Sequence, residues 1–229
     1  MATEPIICPT PHVIPDDRRL RNNYHIDYSP KRDEYVEFDG PLEYDFWVLK
    51  ESDPRVLKLC PQPLKIHERI DGKILNYTFD LWTLEEDEGE ILWDVKDKGR
   101  LIEDVNGQMV PAKWPQVKKW AANRQAAARF VTEDDIAHPS TALRITNWKE
   151  MLRHIGPASP RITREEQDAV FALIEGESAT IERVLRTLYR SDERKVCTAI
   201  VHMLHIGRLC SDVDSRPFNA NTMLSVPNA

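Results

Sequence analysis

The sequence predicts an α/β fold organised as two domains, and the patterning of its apolar residues supports this prediction. Residues 55–96 contain alternating and continuous apolar stretches that are typical of strands, separated by charged or glycine-containing turns. Residues 163–205 instead show the apolar spacing of helices. Between the two regions, the stretch GPASPRIT at 156–163 has the proline, glycine and small polar residues of a linker.

The composition is that of a globular chain, with 229 residues of which 41% are hydrophobic and 30% charged. No apolar stretch reaches the ~18 residues of a membrane span, and the first residues lack the pattern of a signal peptide. The four cysteines have no disulfide spacing, so we expect a cytoplasmic protein without a membrane partner. The net charge of −7 argues against strong nucleic-acid binding by the chain alone, because such binding depends on neutralising phosphates.

The region before the linker is expected to contain an arm and a mixed α/β domain. Residues 1–38 are rich in Pro, Asp, Asn and Tyr without a clear period, which predicts an irregular arm. The domain at 39–157 begins with a helix over 41–52. A strand interrupted at its prolines follows, then a turn at 71–73 and one strand over 74–84. An acidic turn leads into the strand ILWDVKD.

The region after the linker, residues 162–229, is predicted to be a winged-helix domain. Helical patterns at about 163–174, 178–189 and 191–205, followed by a two-stranded ribbon, are typical of that fold. Basic and acidic residues nearly balance in this region, so we expect it to bind a protein partner rather than DNA alone.

The strand ILWDVKD carries an acid and a base two residues apart, Asp94 and Lys96, which therefore leave the strand by the same face. A turn centred near Asp87 places Asp80 opposite Asp94, with Cβ atoms about 5 Å apart. A slip of one residue would move Asp80 among apolar side chains, so the hydrophobic pattern favours this register. The two faces are then Thr78, Asp80, Asp94 and Lys96 on the polar side, and Phe79, Leu81, Trp93 and Val95 on the apolar side.

Two carboxylates and a lysine in this arrangement indicate a metal site. Carboxylates this close resist ionisation unless a cation lies between them. Mg²⁺ suits the site because it takes oxygen ligands and keeps several waters, and Mn²⁺ can substitute for it. A neighbouring lysine can hold or deprotonate an attacking water while one or two metal ions stabilise charge on a phosphoryl oxygen. The pattern predicts phosphodiester cleavage, although a surface hairpin held by salt bridges has the same residues.

A third acid and the order of the motifs produce a resemblance to a known family. Glu43 lies on the predicted helix, in PLEYDFWVLKESDPRVLKLCPQPLKI, and the motifs YTFDLW, ILWDVK and RFVTEDDI follow it in that order. Over residues 35–137 this ordered set resembles the TnsA family. These proteins are the endonuclease subunits of heteromeric, cut-and-paste bacterial transposases. The motif YTFDLW departs from the family's commoner form, in which a proline precedes the aspartate.

The resemblance implies a restriction-endonuclease-like PD-(D/E)xK domain followed by a winged-helix domain. It implies Mg²⁺-dependent cleavage of the 5′ strands of double-stranded DNA at transposon ends. A DDE-type transposase (TnsB-like) would then act on the 3′ ends, and an AAA+ regulator (TnsC-like) would be a second partner.

The resemblance also assigns expected roles to individual residues. By position, Glu43, Asp80 and Lys96 match the family's acid, acid and lysine, and Asp94 stands where some members have glutamine. We expect Glu43, Asp80, Asp94 and the backbone carbonyl of Val95 to hold the metal. Lys96 is expected to position or activate the water.

Basic residues after the last strand are candidate DNA contacts. Lys113, Lys118, Lys119 and Arg124 lie on a predicted helix from which they could bind phosphates. The alternative is a solvated helix face that packs Trp120 inward.

Two other functions fit the same residues. A stand-alone restriction or repair nuclease would use the same site without partners. A non-catalytic adaptor would carry the charges of the hairpin for structural reasons only.

Overall fold

The structure is a computed structural model that describes residues 23–227, and it is of mixed α/β type. The described residues form two compact units. The first contains residues 23–27, Tyr35–Glu51 and Arg55–Ala137, and the second contains Tyr28–Glu34, Ser52–Pro54 and the chain from residue 138. The division therefore falls one helix before the predicted linker. No helix within residues 23–227 has the length and apolar character needed to cross a membrane.

The predicted arm lies mostly outside the described residues, and the part that is described is not irregular. It forms a β-hairpin of β1 (His25–Ser29) and β2 (Glu34–Phe38). The prediction of an irregular arm was wrong here because each strand has only five residues, too few for a clear alternating pattern.

The first unit contains most of the strands found within residues 23–227. Its helices are α1 (Pro41–Glu51), α2 (Trp114–Ala122) and α3 (Glu133–Ile136). Its strands are β3 (Val56–Pro61), β4 (Lys65–Ile70), β5 (Lys73–Thr78), β6 (Leu81–Glu85), β7 (Gly89–Lys96), β8 (Ile102–Glu103), β9 (Met109–Val110) and β10 (Ala127–Thr132), with a 3-10 turn at Lys98–Arg100.

Four of these strands form a central sheet in the order β10-β7-β6-β3. Strand β10 runs parallel to β7, and the other neighbours are antiparallel. Within the β6–β7 pair, Leu81 lies opposite Trp93 and Glu85 opposite Gly89, so the predicted register is confirmed.

Strand β7 is covered on both faces. Trp93 contacts Phe46 of α1, with ring centroids 5.2 Å apart. Its neighbour Leu92 belongs instead to a buried cluster that includes Val117 and Trp120 of α2. Because successive side chains of a strand point to opposite faces, α1 lies on one side of the sheet and α2 on the other.

The predicted single strand over 74–84 was wrong, because the chain leaves one sheet and enters another at Phe79 and Asp80. Strand β5 pairs with β4 in a separate two-stranded sheet, and β6 joins the central sheet. The predicted turn before β5 is confirmed. Asp71 and Gly72 both have positive φ values, 48° and 78°, as a tight two-residue hairpin turn requires.

The second unit is mostly helical, and the helices predicted after the linker are confirmed. Its β11, β13 and β12 form one small sheet in that order. The sequence did not reveal β11, nor the short helix that lies within the predicted linker. The elements are α4 (Pro139–Leu152), α5 (Ser159–Ile162), α6 (Arg164–Ile174), β11 (Ala179–Thr180), α7 (Ile181–Thr187), α8 (Glu193–His205), β12 (Cys210–Ser211) and β13 (Met223–Ser225).

Candidate active site

Asp94 lies in the middle of the central sheet and is fully buried. One of its oxygens is 2.6 Å from Lys96 Nζ, and the other accepts a 2.6 Å hydrogen bond from the Tyr77 hydroxyl. Burial first, and the charge of Asp94 second, raise the pKa of Tyr77 far above its ordinary value, so this hydroxyl keeps its proton and donates. A carboxylate in this position is stable only because both oxygens have partners.

Asp80 lies in the break between β5 and β6, where the backbone is held on both sides. Its N–H donates to the Trp93 carbonyl at 3.0 Å, and its own carbonyl accepts from the Gln62 N–H at 2.8 Å. The side chain is thereby directed at β7. There Oδ2 accepts a 2.6 Å hydrogen bond from the Val95 N–H and lies 3.6 Å from Lys96 Nζ.

Glu43 approaches the same group from the first turn of α1, where an acid is favoured by the helix dipole. Its charge acts on both Asp80 and Lys96. The structure thus brings together the four residues predicted from the sequence: Glu43, Asp80, Asp94 and Lys96.

The ionisation of the group shows an excess of negative charge. Burial and the nearby charge of Glu43 raise the pKa of Asp80 well above its ordinary value, although Lys96 and the Val95 N–H act in the opposite direction. Burial lowers the pKa of Lys96, but attraction to Asp80 and Asp94 outweighs it and the net pKa is raised. Lys96 is therefore an ammonium that contacts two acids, Asp80 and Asp94, and that also experiences the charge of a third, Glu43.

A hard divalent cation fits the chemistry of these donors, because one ammonium does not neutralise three carboxyl groups at a buried site. The ligands would be the carboxylates of Glu43, Asp80 and Asp94. Within residues 23–227 no three His, Cys, Asp or Glu side chains are arranged to hold a metal ion as the side chains stand. The ammonium of Lys96 contacts both aspartates, so it would have to move for an ion to bind between them.

The backbone of Val95 faces the site through its N–H, which Asp80 uses. Its carbonyl, the predicted metal ligand, lies 3.4 Å from Lys96 Nζ. The structure therefore places both polar groups of Val95 beside the charged cluster.

The sequence missed Tyr77 and misplaced Phe79. A continuous strand would point Tyr77 away from Asp80 and would put Phe79 on the face of Trp93. Because the strand breaks at Phe79, this ring instead enters the cluster on the α2 side and contacts Trp120, with centroids 6.2 Å apart. The only local signal was the tyrosine itself, three residues before Asp80.

The basic residues around α2 divide into two pairs. Lys113 precedes the helix with a φ of 65°, and both it and Lys118 are exposed. Lys119 forms a 2.5 Å ion pair with Asp71, and Arg124 forms a 2.9 Å ion pair with Glu68. Each of the latter two would have to leave an acid before it could bind a phosphate.

Helix α2 carries only Lys118 and Lys119 of the four, because Lys113 precedes it and Arg124 follows it, and it packs Trp120 inward, as expected, with 4% of the residue exposed. The side chain of Arg124 lies 4.1 Å over the Trp120 ring, which adds a second contact to its ion pair.

Comparison of the sequence with protein-family models finds no match, and comparison with curated proteins finds none either.

Proposed function

We propose that this chain is the Mg²⁺-dependent DNA endonuclease subunit of a heteromeric bacterial transposase, cleaving the 5′ strands at transposon ends. The observation that carries the proposal is the group of Glu43, Asp80, Asp94 and Lys96, in which Asp94 is fully buried, the other three are partly buried, and the acids outnumber the base. An excess of charge of one sign at a partly buried position lowers the free energy of unfolding. Such groups are found mainly at catalytic or ion-binding sites.

Each residue has a role that its surroundings support. Asp80 is directed at β7 by the Val95 N–H, and Asp94 is oriented by Tyr77. Bound Mg²⁺ would stabilise the negative charge that develops on the phosphoryl oxygens. Lys96, held as an ammonium by both aspartates, is suited to orient the attacking water or the scissile phosphate by donating hydrogen bonds.

The fold is consistent with the proposal. The central sheet with a helix on each face supports a restriction-endonuclease-like PD-(D/E)xK domain. The order α6-β11-α7-α8-β12-β13, with β13 between the other two strands, supports a winged-helix domain. The DDE-type (TnsB-like) and AAA+ (TnsC-like) partners belong to the proposal through the resemblance alone.

The net charge of −7 suits an enzyme that partners bring to DNA. The test is cleavage of a supercoiled donor plasmid carrying the ends of the element, with and without the cognate transposase, in Mg²⁺ or in EDTA. We expect 5′-strand cuts that need both Mg²⁺ and the partner. Asp80→Asn and Lys96→Met should reduce cutting by roughly 10²–10⁴-fold.

The chain provides matched controls one and two residues after Lys96. Asp97 and Lys98 have largely exposed side chains in ion pairs with Arg100 and Asp134. Asp97→Asn and Lys98→Met make the same chemical changes and should leave cleavage unchanged. Equal activity in the site variants and these controls would refute the proposal.

The same assay separates the alternatives. Cutting by the chain alone would identify a stand-alone restriction or repair nuclease. A non-catalytic adaptor is favoured by one observation, the 2.6 Å pairing of Lys96 with Asp94, which satisfies both groups without a metal. That function predicts no cleavage under any condition and no Mg²⁺-dependent rise in thermal stability.

A further inference from the structure

The β4–β5 hairpin has two faces of different character. Its inner face carries Ile66 and Leu75, which are 3% and 2% exposed and belong to the buried cluster with α2. Because side chains alternate, the residues between them point the other way. These residues form the outer face: Lys65, His67 and Arg69 on β4, opposite Thr78, Asn76 and Ile74 on β5.

The outer face has the chemistry of a surface for a nucleic-acid backbone. Lys65, His67 and Arg69 are exposed and follow one another at every second residue of β4, which spaces them about 7 Å apart. Asn76 and Thr78 on β5 add polar groups that can hydrogen-bond to phosphate or sugar oxygens. All the acids of the hairpin lie elsewhere: Glu68 is paired with Arg124 on the inner side, and Asp71 lies in the turn.

The outer face is continuous with the candidate active site. A groove of about 520 Å³ is lined by Lys65, His67, Asn76 and Thr78 of the hairpin together with Lys96. A strand lying along β4 would therefore pass beside the ammonium that the proposed chemistry uses.

The hairpin is also held in position relative to the site. Tyr77, on the inner face, donates to Asp94, while Lys119 of α2 pairs with Asp71 and Arg124, two residues after α2, pairs with Glu68. This hydrogen bond and these two ion pairs connect the hairpin to the central sheet and to the α2 region. A basic surface held this way can fix where a strand lies against the reacting group.

We propose that the outer face of the β4–β5 hairpin binds the backbone of the duplex DNA next to the scissile phosphate, and that Lys65 and Arg69 make phosphate contacts. This inference rests on the proposed function and names the surface that positions its substrate. It assigns DNA binding to the hairpin rather than to α2, where the sequence alone suggested it.

The test measures binding of the full chain to a fluorescent duplex at low ionic strength in EDTA, so that no cleavage occurs. We expect Lys65→Glu/Arg69→Glu to weaken binding and to reduce the salt dependence, the slope of log K against log[salt], by about 2. Lys73→Glu is the matched control, because Lys73 is exposed on the same hairpin but opposite Ile70 on the inner face.

Arg69 donates to the Gly72 carbonyl at 3.4 Å, so a second variant guards against a disturbed turn. Lys65→Glu/His67→Glu leaves that contact in place and should also weaken binding, with thermal unfolding confirming that each variant is folded. Binding by both variants at the strength of Lys73→Glu, or no measurable binding by the wild-type chain, would overturn the inference.

The cleavage assay distinguishes failure of the DNA-binding inference from failure of the proposed nuclease function. If the proposed function holds, Asp80→Asn loses cleavage but keeps DNA binding in EDTA. If the inference about the hairpin also holds, Lys65→Glu/Arg69→Glu loses DNA binding. A wild-type chain that binds through the hairpin but never cuts refutes the nuclease and leaves the DNA-binding surface in place.

Discussion

Both compact units bury polar side chains, and two of these, Asp94 in the first unit and Asn147 in the second, are satisfied in different ways. The Asn147 amide donates to the carbonyls of Val213 and Arg216 at 2.6 and 2.8 Å. Its oxygen accepts from the Phe218 N–H at 2.9 Å. This neutral amide uses all its contacts to fix the backbone of one loop.

Asp94 belongs to a charged group in which three acids face one lysine. Its partners Lys96 and Tyr77 satisfy it, but Asp80 and Glu43 add negative charge that raises the pKa of Asp80. A neutral network such as that of Asn147 adds stability, whereas a buried group with excess charge reduces it. The comparison indicates that Asn147 stabilises its unit, whereas the group around Asp94 reduces stability and is the candidate functional site.

The largest change in the free energy of unfolding should come from removing Lys96, the cation of the charged group. Lys96→Met leaves Asp94 buried without its ion pair, so we expect a loss of about 3 kcal/mol in the free energy of unfolding. Urea unfolding in EDTA measures it, with Lys98→Met as the control at an exposed position. A loss of stability no larger than that of the control would contradict the difference between the charged group of the first unit and the neutral network of the second.

A smaller loss is expected from the neutral network. Asn147→Ala leaves two carbonyls and one N–H without this partner and should cost roughly 2 kcal/mol. Because no charge is involved, the loss should be the same from weakly acidic to weakly basic pH, and DNA cleavage should persist. Thr146→Ala, which removes an exposed hydroxyl bonded to the Ala142 carbonyl, is the neighbouring control. A strongly pH-dependent loss would contradict the structural role of Asn147.

Asp80→Asn should stabilise the protein by roughly 1 kcal/mol at neutral pH in EDTA, while abolishing cleavage. The folded protein raises the pKa of Asp80, so this group favours folding at pH values below its unfolded pKa. That contribution is lost as the pH rises through the folded pKa, and at neutral pH the ionised carboxylate is unfavourable. The stabilisation should therefore shrink as the pH falls toward the ordinary range of aspartate. Thermal unfolding across pH measures it, and a destabilised variant at pH 7 would contradict the excess of charge.

The smallest loss of stability should come from breaking an ion pair between the α2 region and the hairpin. Arg124→Ala removes a partly exposed ion pair with Glu68 and should cost about 0.5 kcal/mol. If Arg124 supports the hairpin rather than binding DNA, the salt dependence of DNA binding should not change. A reduction of that slope by about 1 would instead show a direct phosphate contact, as the sequence suggested for this residue.

The sequence predicted Asp80, Asp94 and Lys96 as one group because the information that joins them is local, whereas Glu43, 37 residues before Asp80, was assigned through the family resemblance. Alternation along β7 fixes Asp94 and Lys96 on one face, and the hydrophobic pattern fixes the β6–β7 register that brings Asp80 to them. Asp80 lies only 14 and 16 residues before Asp94 and Lys96, and residues this close, joined by one turn, can be placed in this way.

The parts that the sequence did not reveal depend on contacts between distant segments. The change of sheet at Phe79 has no proline or glycine to mark it, so Tyr77 could not be assigned to the site. The acids that pair with Lys119 and Arg124 lie 48 and 56 residues away in the chain, which made those two side chains look free. Alternation indicates which side chains share a face, but it does not indicate which other element covers that face.

The excess acid of the charged group has a consequence for the evolution of the chain. A copy released from selection for its activity gains stability by losing an acid, so Asp80 is expected to drift to a neutral residue early. Lys96 is expected to be replaced only afterwards, because its loss while the acids remain is the most damaging single change. The order in which these positions decay in relatives would therefore distinguish lineages that still use the site from lineages that keep only the fold.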